Sequence, residues 1–206
     1  MERLIGLGNI PVDYSVLETV FSDYSYPRNK IASLELNGSL IRLKRGMYVV
    51  SPTVSGKLIS AELVANHIYG PSYISMESAL RIHGYIPESV HTVKSMTLKR
   101  SKDFVNQISL FKYINCDSAW YSIGIDQTMT DNTILIASPE KALCDLIAYT
   151  PMLSPRFVKS LRVFLEEDLR LDMEAFYKMD TEIIRTCSMA GKKRNELNNL
   201  LKLLER

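Results

Sequence analysis

Cysteine is scarce in this chain, and its three copies, Cys116, Cys144 and Cys187, are odd in number and widely spaced. With no CxxC pair, neither a disulfide framework nor a zinc knuckle is expected, and buried free thiols in a reducing compartment are. Histidine is as rare. His67, His83 and His91 fall on three separate stretches and none belongs to HExxH, so structural roles are expected for them. No GxxxxGK[ST], GxGxxG or GxSxG occurs, which leaves nucleotide binding and an esterase elbow without support. No apolar run approaches the roughly 18 residues of a membrane span. The start, Met1-Glu2-Arg3-Leu4-Ile5-Gly6, lacks the basic-then-apolar order of a signal peptide. A cytoplasmic protein is expected, with no membrane contact, metal, cofactor or catalytic residue.

Net charge is small as well, +2 over 206 residues, so the molecule as a whole is no polycation. Its distribution is uneven: residues 51–115 carry seven cations against four acids, whereas 116–155 carry Lys141 alone against five acids. A basic front and an acidic middle point to distinct surfaces. The apolar share of 46% is enough for one large or two small cores.

What is present reads as follows. Residues 11–22 carry Val12, Val16, Leu17 and Val20 at helical spacing, with Pro11 where a helix would begin. Residues 27–36 predict a second helix stopped by Asn37-Gly38, with Ile31, Leu34 and Leu36 as core candidates. Arg28, Asn29 and Lys30 would project from its first turn. Strands over 40–43 and 47–50, joined at Lys44-Arg45-Gly46, predict a hairpin with a basic tip. Residues 58–69 follow as an amphipathic helix that buries Leu58, Ala61, Leu63, Val64 and Ile68. Then come a short strand at 73–74 and a helix over 76–83, with Ser75 as its cap, Glu77 in its first turn and Gly84 as its stop. Further strands are expected at 91–98, 108–114, 119–125 and 133–137. Ser138-Pro139-Glu140 opens the next helix, and Ser154-Pro155 repeats that start signal. The rest is helical to the end, with breaks near Asp172, Asp180 and Gly191 and a last stripe of Leu197, Leu200, Leu201 and Leu204.

The fold class is therefore α+β. A small winged helix-turn-helix-like unit spans 1–52. A mixed α/β domain spans 53–206, with strands over 72–137 and helices over 138–206. A helix with Arg28, Asn29 and Lys30 on its first turn, followed by a ribbon carrying Arg42, Lys44 and Arg45, has the layout in which a helix enters a DNA groove and a wing meets phosphates. A solvated surface is the plainer reading of the same cations. Glu140-Lys141 could suggest a metal-dependent nuclease centre, but helix capping explains Ser138, Pro139 and Glu140 more economically. Ser75 and Glu77 are likewise what capping requires, and the block from Tyr73 to Arg100 could be a protein-binding face.

Three ordered stretches resemble one family. Leu40-Ile-Arg-Leu-Lys-Arg-Gly-Met-Tyr-Val-Val50 resembles its wing. Ser72-Tyr-Ile-Ser-Met-Glu-Ser-Ala-Leu80, with His83-Gly84, Pro87 and Thr97-Leu-Lys-Arg100, resembles its signature. Ala137-Ser-Pro-Glu-Lys-Ala-Leu-Cys-Asp-Leu146 is similar to its conserved helix. The family is the AbiEi-type antitoxins of abortive-infection (type IV toxin–antitoxin) systems in phage defence, and the match covers about residues 25–148. The resemblance implies a winged unit that represses its own operon through promoter DNA and a second domain that counters a nucleotidyltransferase-like toxin, with no catalysis. Carried over, Arg28, Asn29, Lys30, Arg42, Lys44 and Arg45 are the DNA-facing residues, and Lys99 and Arg100 are candidates for partner contact. Only ten residues precede Pro11, so the first of the three helices of such a unit is expected to be missing or vestigial. A protein-interaction module or stand-alone regulator that has lost DNA binding is the alternative.

Overall fold

Short connections set the topology. The computed structural model describes residues 2–87, 91–129 and 132–205, and it is an α+β fold with two sheets. Near the N-terminus, strand β1 (Val12–Asp13), helix α2 (Tyr14–Val20), helix α3 (Pro27–Leu36) and strands β2 (Leu40–Lys44) and β3 (Met47–Val50) follow a first helix α1 (Glu2–Ile5). The sheet order is β1-β3-β2, antiparallel throughout. A first helix is thus present, although it is a single turn; Leu4 anchors it in the core. Pro11 does not open α2, because Val12 and Asp13 pair with Tyr48 and Met47 at the sheet edge, and the helix begins only at Tyr14.

Residues 27–36 form α3 as the sequence predicts, with Pro27 at its first position, where a missing N–H costs nothing. Ile31 and Leu34 are buried, but Leu36 is 91% exposed because the helix ends there on its outer side. Gly46, at φ 79°, makes the tight turn of the hairpin. All four residues of β3 are buried. Tyr48 and Val50 join Leu17, Ile31 and Leu34 in a small core, whereas Leu43, Met47 and Val49 join the large core of the rest of the chain. The hairpin is therefore covered on both faces, with one face in each core.

After a turn of helix, α4 (Pro52–Ser55), helix α5 (Ala61–Ile68) starts late. The Ser60 side chain accepts from the Leu63 amide, so the first turn forms there and Leu58 is left outside, 85% exposed. The second sheet has the order β6-β7-β5-β4-β9-β8. Its members are β4 (Ser72–Ile74), β5 (Thr92–Thr97), β6 (Lys102–Val105), β7 (Leu110–Asn115), β8 (Ile125–Met129) and β9 (Thr133–Ala137). β5–β7 and β4–β9 are parallel and the other pairs antiparallel. The strand expected over 119–125 is not formed. Residues Ser118–Tyr121 are a helical turn, α7, which turns Trp120 into the core. Edge strand β6 was not legible, because its residues are mostly exposed and carry no alternating pattern.

Helix α6 (Met76–Ile82) covers β5, and helix α8 (Pro139–Tyr149) lies between the sheet and the helical tail. Ser138 caps α8 as expected, accepting from the Lys141 amide at 3.3 Å. Every residue from Glu140 to Ala148 is buried, as befits a helix enclosed on all sides. The tail comprises α9 (Val158–Val163), a wide helical turn over Phe164–Asp168, α10 (Met173–Phe176), α11 (Thr181–Ala190) and α12 (Arg194–Leu204). Ser154-Pro155 starts no helix, and α9 begins at Val158. Asp172 and Asp180 cap α10 and α11 through their carboxylates, which is why the tail breaks there. α12 buries Leu197, Leu200, Leu201 and Leu203, with Leu204 partly covered. Among the described residues no helix is long and apolar enough to cross a membrane.

Candidate functional site

Arg28, Ile31, Ala32 and Glu35 recur at helical spacing on α3 and form one wall of an open cleft of about 550 Å³. Tyr14 and Glu18 of α2 form a second wall. Arg42 and Tyr48 of the sheet and Arg45 and Gly46 of the hairpin turn complete it. Three of the sequence-predicted DNA-facing residues, Arg28, Arg42 and Arg45, are therefore brought together. Their states differ. The Arg42 guanidinium donates to Glu35 Oε2 at 3.0 Å and to the Tyr48 hydroxyl at 3.2 Å, and its Cζ lies 5.6 Å from the Tyr48 ring centre. Arg28 and Arg45 are exposed, and neither is in an ion pair among the described residues. Burial and the Glu18 carboxylate raise the Tyr14 phenol above its usual range, against the pull of Arg28.

The other predicted residues lie elsewhere. Asn29 is exposed on the first turn of α3 but does not line the cleft. Lys30 points to the opposite side, its ammonium 5.3 Å from the Tyr24 ring centre, in a separate depression with Glu2 and Arg3. Lys44 turns inward and donates to the Ile68 carbonyl at 2.6 Å. It thereby caps the C-terminus of α5, where a cation is favoured, so it does not project from the hairpin as a free phosphate contact. Asn106 donates to Leu43 O at 3.0 Å and holds the same end of the hairpin. Lys99 and Arg100 are both exposed just after β5. The Lys99 ammonium lies 5.2 Å from the Tyr69 ring centre.

A second polar cluster was missed. The Asp145 carboxylate, 0% exposed, accepts from Ser75 Oγ at 2.6 Å, the Tyr73 hydroxyl at 3.1 Å and Trp120 Nε1 at 2.5 Å. Lys141, also 0% exposed, sits one turn back on α8. Its ammonium lies 3.0 Å from Asp145 Oδ1, donates to Trp120 O at 2.9 Å and rests 3.9 Å from the Trp120 ring centre. Ser75 therefore precedes α6 but does not cap it; its hydroxyl is committed to Asp145. Met76 beside it takes φ 53°, a left-handed conformation that L residues avoid and that the surrounding core must hold. Burial together with Asp145 pushes the Tyr73 phenol far up, out of the range in which it ionises. The signal that could have found the cluster is Lys141 and Asp145 at i,i+4 in an otherwise apolar helix.

This cluster is a structural joint. Each oxygen of Asp145 is satisfied, and the groups are sealed from solvent, so nothing can reach them for chemistry. It fastens β4, α7 and α8 at one point, and Gly191 closes it from the tail, pressed so tightly to the Trp120 ring that a Cβ there would lie 1.8 Å from Cζ3. The thiols nearby are inert for the same reason: burial pushes the Cys116 thiol up to about 12 and the Cys144 thiol well above its usual range. Two histidines are tied to backbone, His67 Nδ1 to Leu63 O at 2.8 Å and His83 Nε2 to Ala137 O at 2.9 Å. Among the described residues no group of three or more His, Cys, Asp or Glu could hold a metal ion.

No family model and no curated protein matches the chain. A solved structure, the crystal structure of the RV2827C protein from Mycobacterium tuberculosis, is similar in fold, with a TM-score of 0.51 and 16% sequence identity. The similarity covers 98% of this chain and 80% of that one. At that identity the likeness concerns the fold alone.

Proposed function

We propose that the chain is a cytoplasmic antitoxin of an abortive-infection, type IV toxin–antitoxin system, with an N-terminal winged unit that represses its own operon. The observation that carries the reading is the meeting of Arg28 from α3 and Arg45 from the hairpin turn on one open cleft, both exposed and in no ion pair among the described residues. The order helix–strand–helix–helix–strand–strand supports it. In that arrangement α3 is the groove-reading helix, and Arg28 and Asn29 lie at its leading turn. Arg45 contacts phosphate, and Arg42, braced by Glu35 and Tyr48, stands behind it. The second domain counters a nucleotidyltransferase-like toxin, with exposed Lys99 and Arg100 available for that partner. The resemblance of residues 25–148 to the AbiEi-type pattern is what suggests the toxin class. On this reading the chain binds stoichiometrically and catalyses nothing.

The test is fluorescence anisotropy with the upstream operon region across a salt series. Arg28→Ala with Arg45→Ala should weaken binding to all sequences and lower the salt slope by about two, since each phosphate contact contributes roughly 0.9. An unchanged slope removes the cleft from DNA contact. A second reading, a protein-interaction module without DNA binding, is favoured by Glu18 and Glu35, which place two carboxylates in the same cleft as the three arginines. It predicts no retardation of operon DNA at any salt, with growth rescue of toxin-expressing cells intact.

A further inference from the structure

A second cleft, about 450 Å³, opens on the side of the molecule where α6, β5, α8 and the tail meet. Its floor is apolar and well covered, formed by Ile86, Leu146 and Leu169. On one rim, Lys94 holds Glu77 through two bonds of 2.6 and 2.8 Å, so that these charges cancel. On the facing rim stands Asp168, exposed and with no bonding partner among the described residues. Among the described residues of its lining, Asp168 is thus the carboxylate without a partner, beside an apolar floor and the exposed His91.

The wall bearing Asp168 is unusual. Over Phe164–Asp168 the helix widens: the Leu169 amide donates to Phe164 O at 2.9 Å, five residues back. Such a turn is rare and costs regular hydrogen bonding, and it recurs at functional sites. Here Phe164, Asp168 and Leu169 all line the cleft, so the widened turn presents an aromatic ring, an aliphatic side chain and the free carboxylate to one space. The volume lies in the range of small-molecule sites, which combine an apolar lining with a few fixed polar groups.

We propose that this cleft binds a small amphipathic cation, its apolar stem on Ile86, Leu146 and Leu169 and its ammonium or guanidinium on Asp168. Thr92 and Thr150 lie at the same opening and offer hydroxyls to the head group. The site shares no lining residue with the Arg28–Arg45 cleft, so it stands whether or not the chain binds DNA.

Isothermal titration of the full chain with n-hexylamine, 1-hexanol and hexanoate tests it. Hexylamine should bind at one site, and hexanoate at least about tenfold more weakly, the effect of one charge in a half-open site. Asp168→Asn should abolish the preference for amine over hexanol, and Asp168→Lys should reverse it toward hexanoate. Because Asp168 is exposed and has no partner among the described residues, both variants should keep the parent melting temperature. Equal affinity for amine and carboxylate, an amine preference that survives Asp168→Lys, or no saturable binding of hexylamine would each overturn the proposal.

Discussion

At Asp145 one carboxylate receives bonds from Tyr73, Ser75, Trp120 and Lys141 with no exposure to water. Between α2, α3 and the hairpin, three arginines and two glutamates line an open cleft. The first cluster draws on the most distinctive motifs of the chain and holds elements together. The second draws on scattered single residues and has charge left over. A memorable motif in this molecule therefore marks what the fold depends on, whereas available chemistry lies where groups remain unsatisfied.

That contrast can be broken from either side. The largest effect is expected at the joint. Asp145→Ala leaves the Lys141 ammonium buried and unpaired and should cost about 3–5 kcal/mol in urea unfolding. Replacing the pair together, Lys141→Met with Asp145→Leu, should cost less than the single change, because the stranded charge is gone. A double variant worse than Asp145→Ala would mean that the pair stabilises the fold beyond avoiding a buried charge. Gly191→Ala comes next, since its methyl group would overlap the Trp120 ring. Overpacking of this kind costs about 1–3 kcal/mol, and near-ultraviolet circular dichroism of the single tryptophan should change with it.

A pH effect follows in size. The Cys116 thiol, raised from 9.0 to about 12, is neutral in the folded chain where the unfolded chain has already ionised. Its contribution is full below about pH 9 and is lost as pH rises toward 12, because the unfolded state then binds fewer protons. Stability should fall over that window, and Cys116→Ala should flatten the slope measured by urea unfolding at stepped pH. At the open cleft, Arg28→Ala with Arg45→Ala should leave stability within about 0.5 kcal/mol, as at other exposed positions. The change should show only in DNA titrations. A small effect is also expected at Lys44→Met, where removal of the cation at the end of α5 should cost about 0.3–1 kcal/mol. A larger loss would show that Lys44 carries more of the contact between the hairpin and α5 than a helix-end cation does.

Local signals carried far in this sequence. Pro27 and Asn37-Gly38 bounded α3, Lys44-Arg45-Gly46 turned the hairpin, and Ser138-Pro139 opened α8, because each is decided within a few residues. Tertiary demands overrode the rest. Ser75 has the right identity and place for a cap, but Asp145 Oδ2, 70 residues away, takes its hydroxyl. A strand was expected over 119–125, but bonding the Trp120 indole to the same carboxylate favours a helical turn. Leu36 and Leu58 were expected inside, yet Leu36 is the last residue of α3, on its outer side, and Leu58 precedes the start of α5. At the open cleft, residue type singled out the cations, but only the fold separates Arg28 and Arg45 from Lys30, on the far side, and Lys44, which is tied to α5.

The hairpin's double covering bears on inheritance and engineering. A segment ending near residue 52 resembles a cassette that could be moved between proteins. Cutting there would bare Leu43, Met47 and Val49, each of which gains about 1.5–3 kcal/mol from burial. The excised piece would be sticky and loosely folded, and the remainder would carry a matching gap. Shuffling of such units during evolution would have to preserve this seam, so the hairpin's inner face should vary together with α5 and the turn at Asn106, more than with the helices of its own unit.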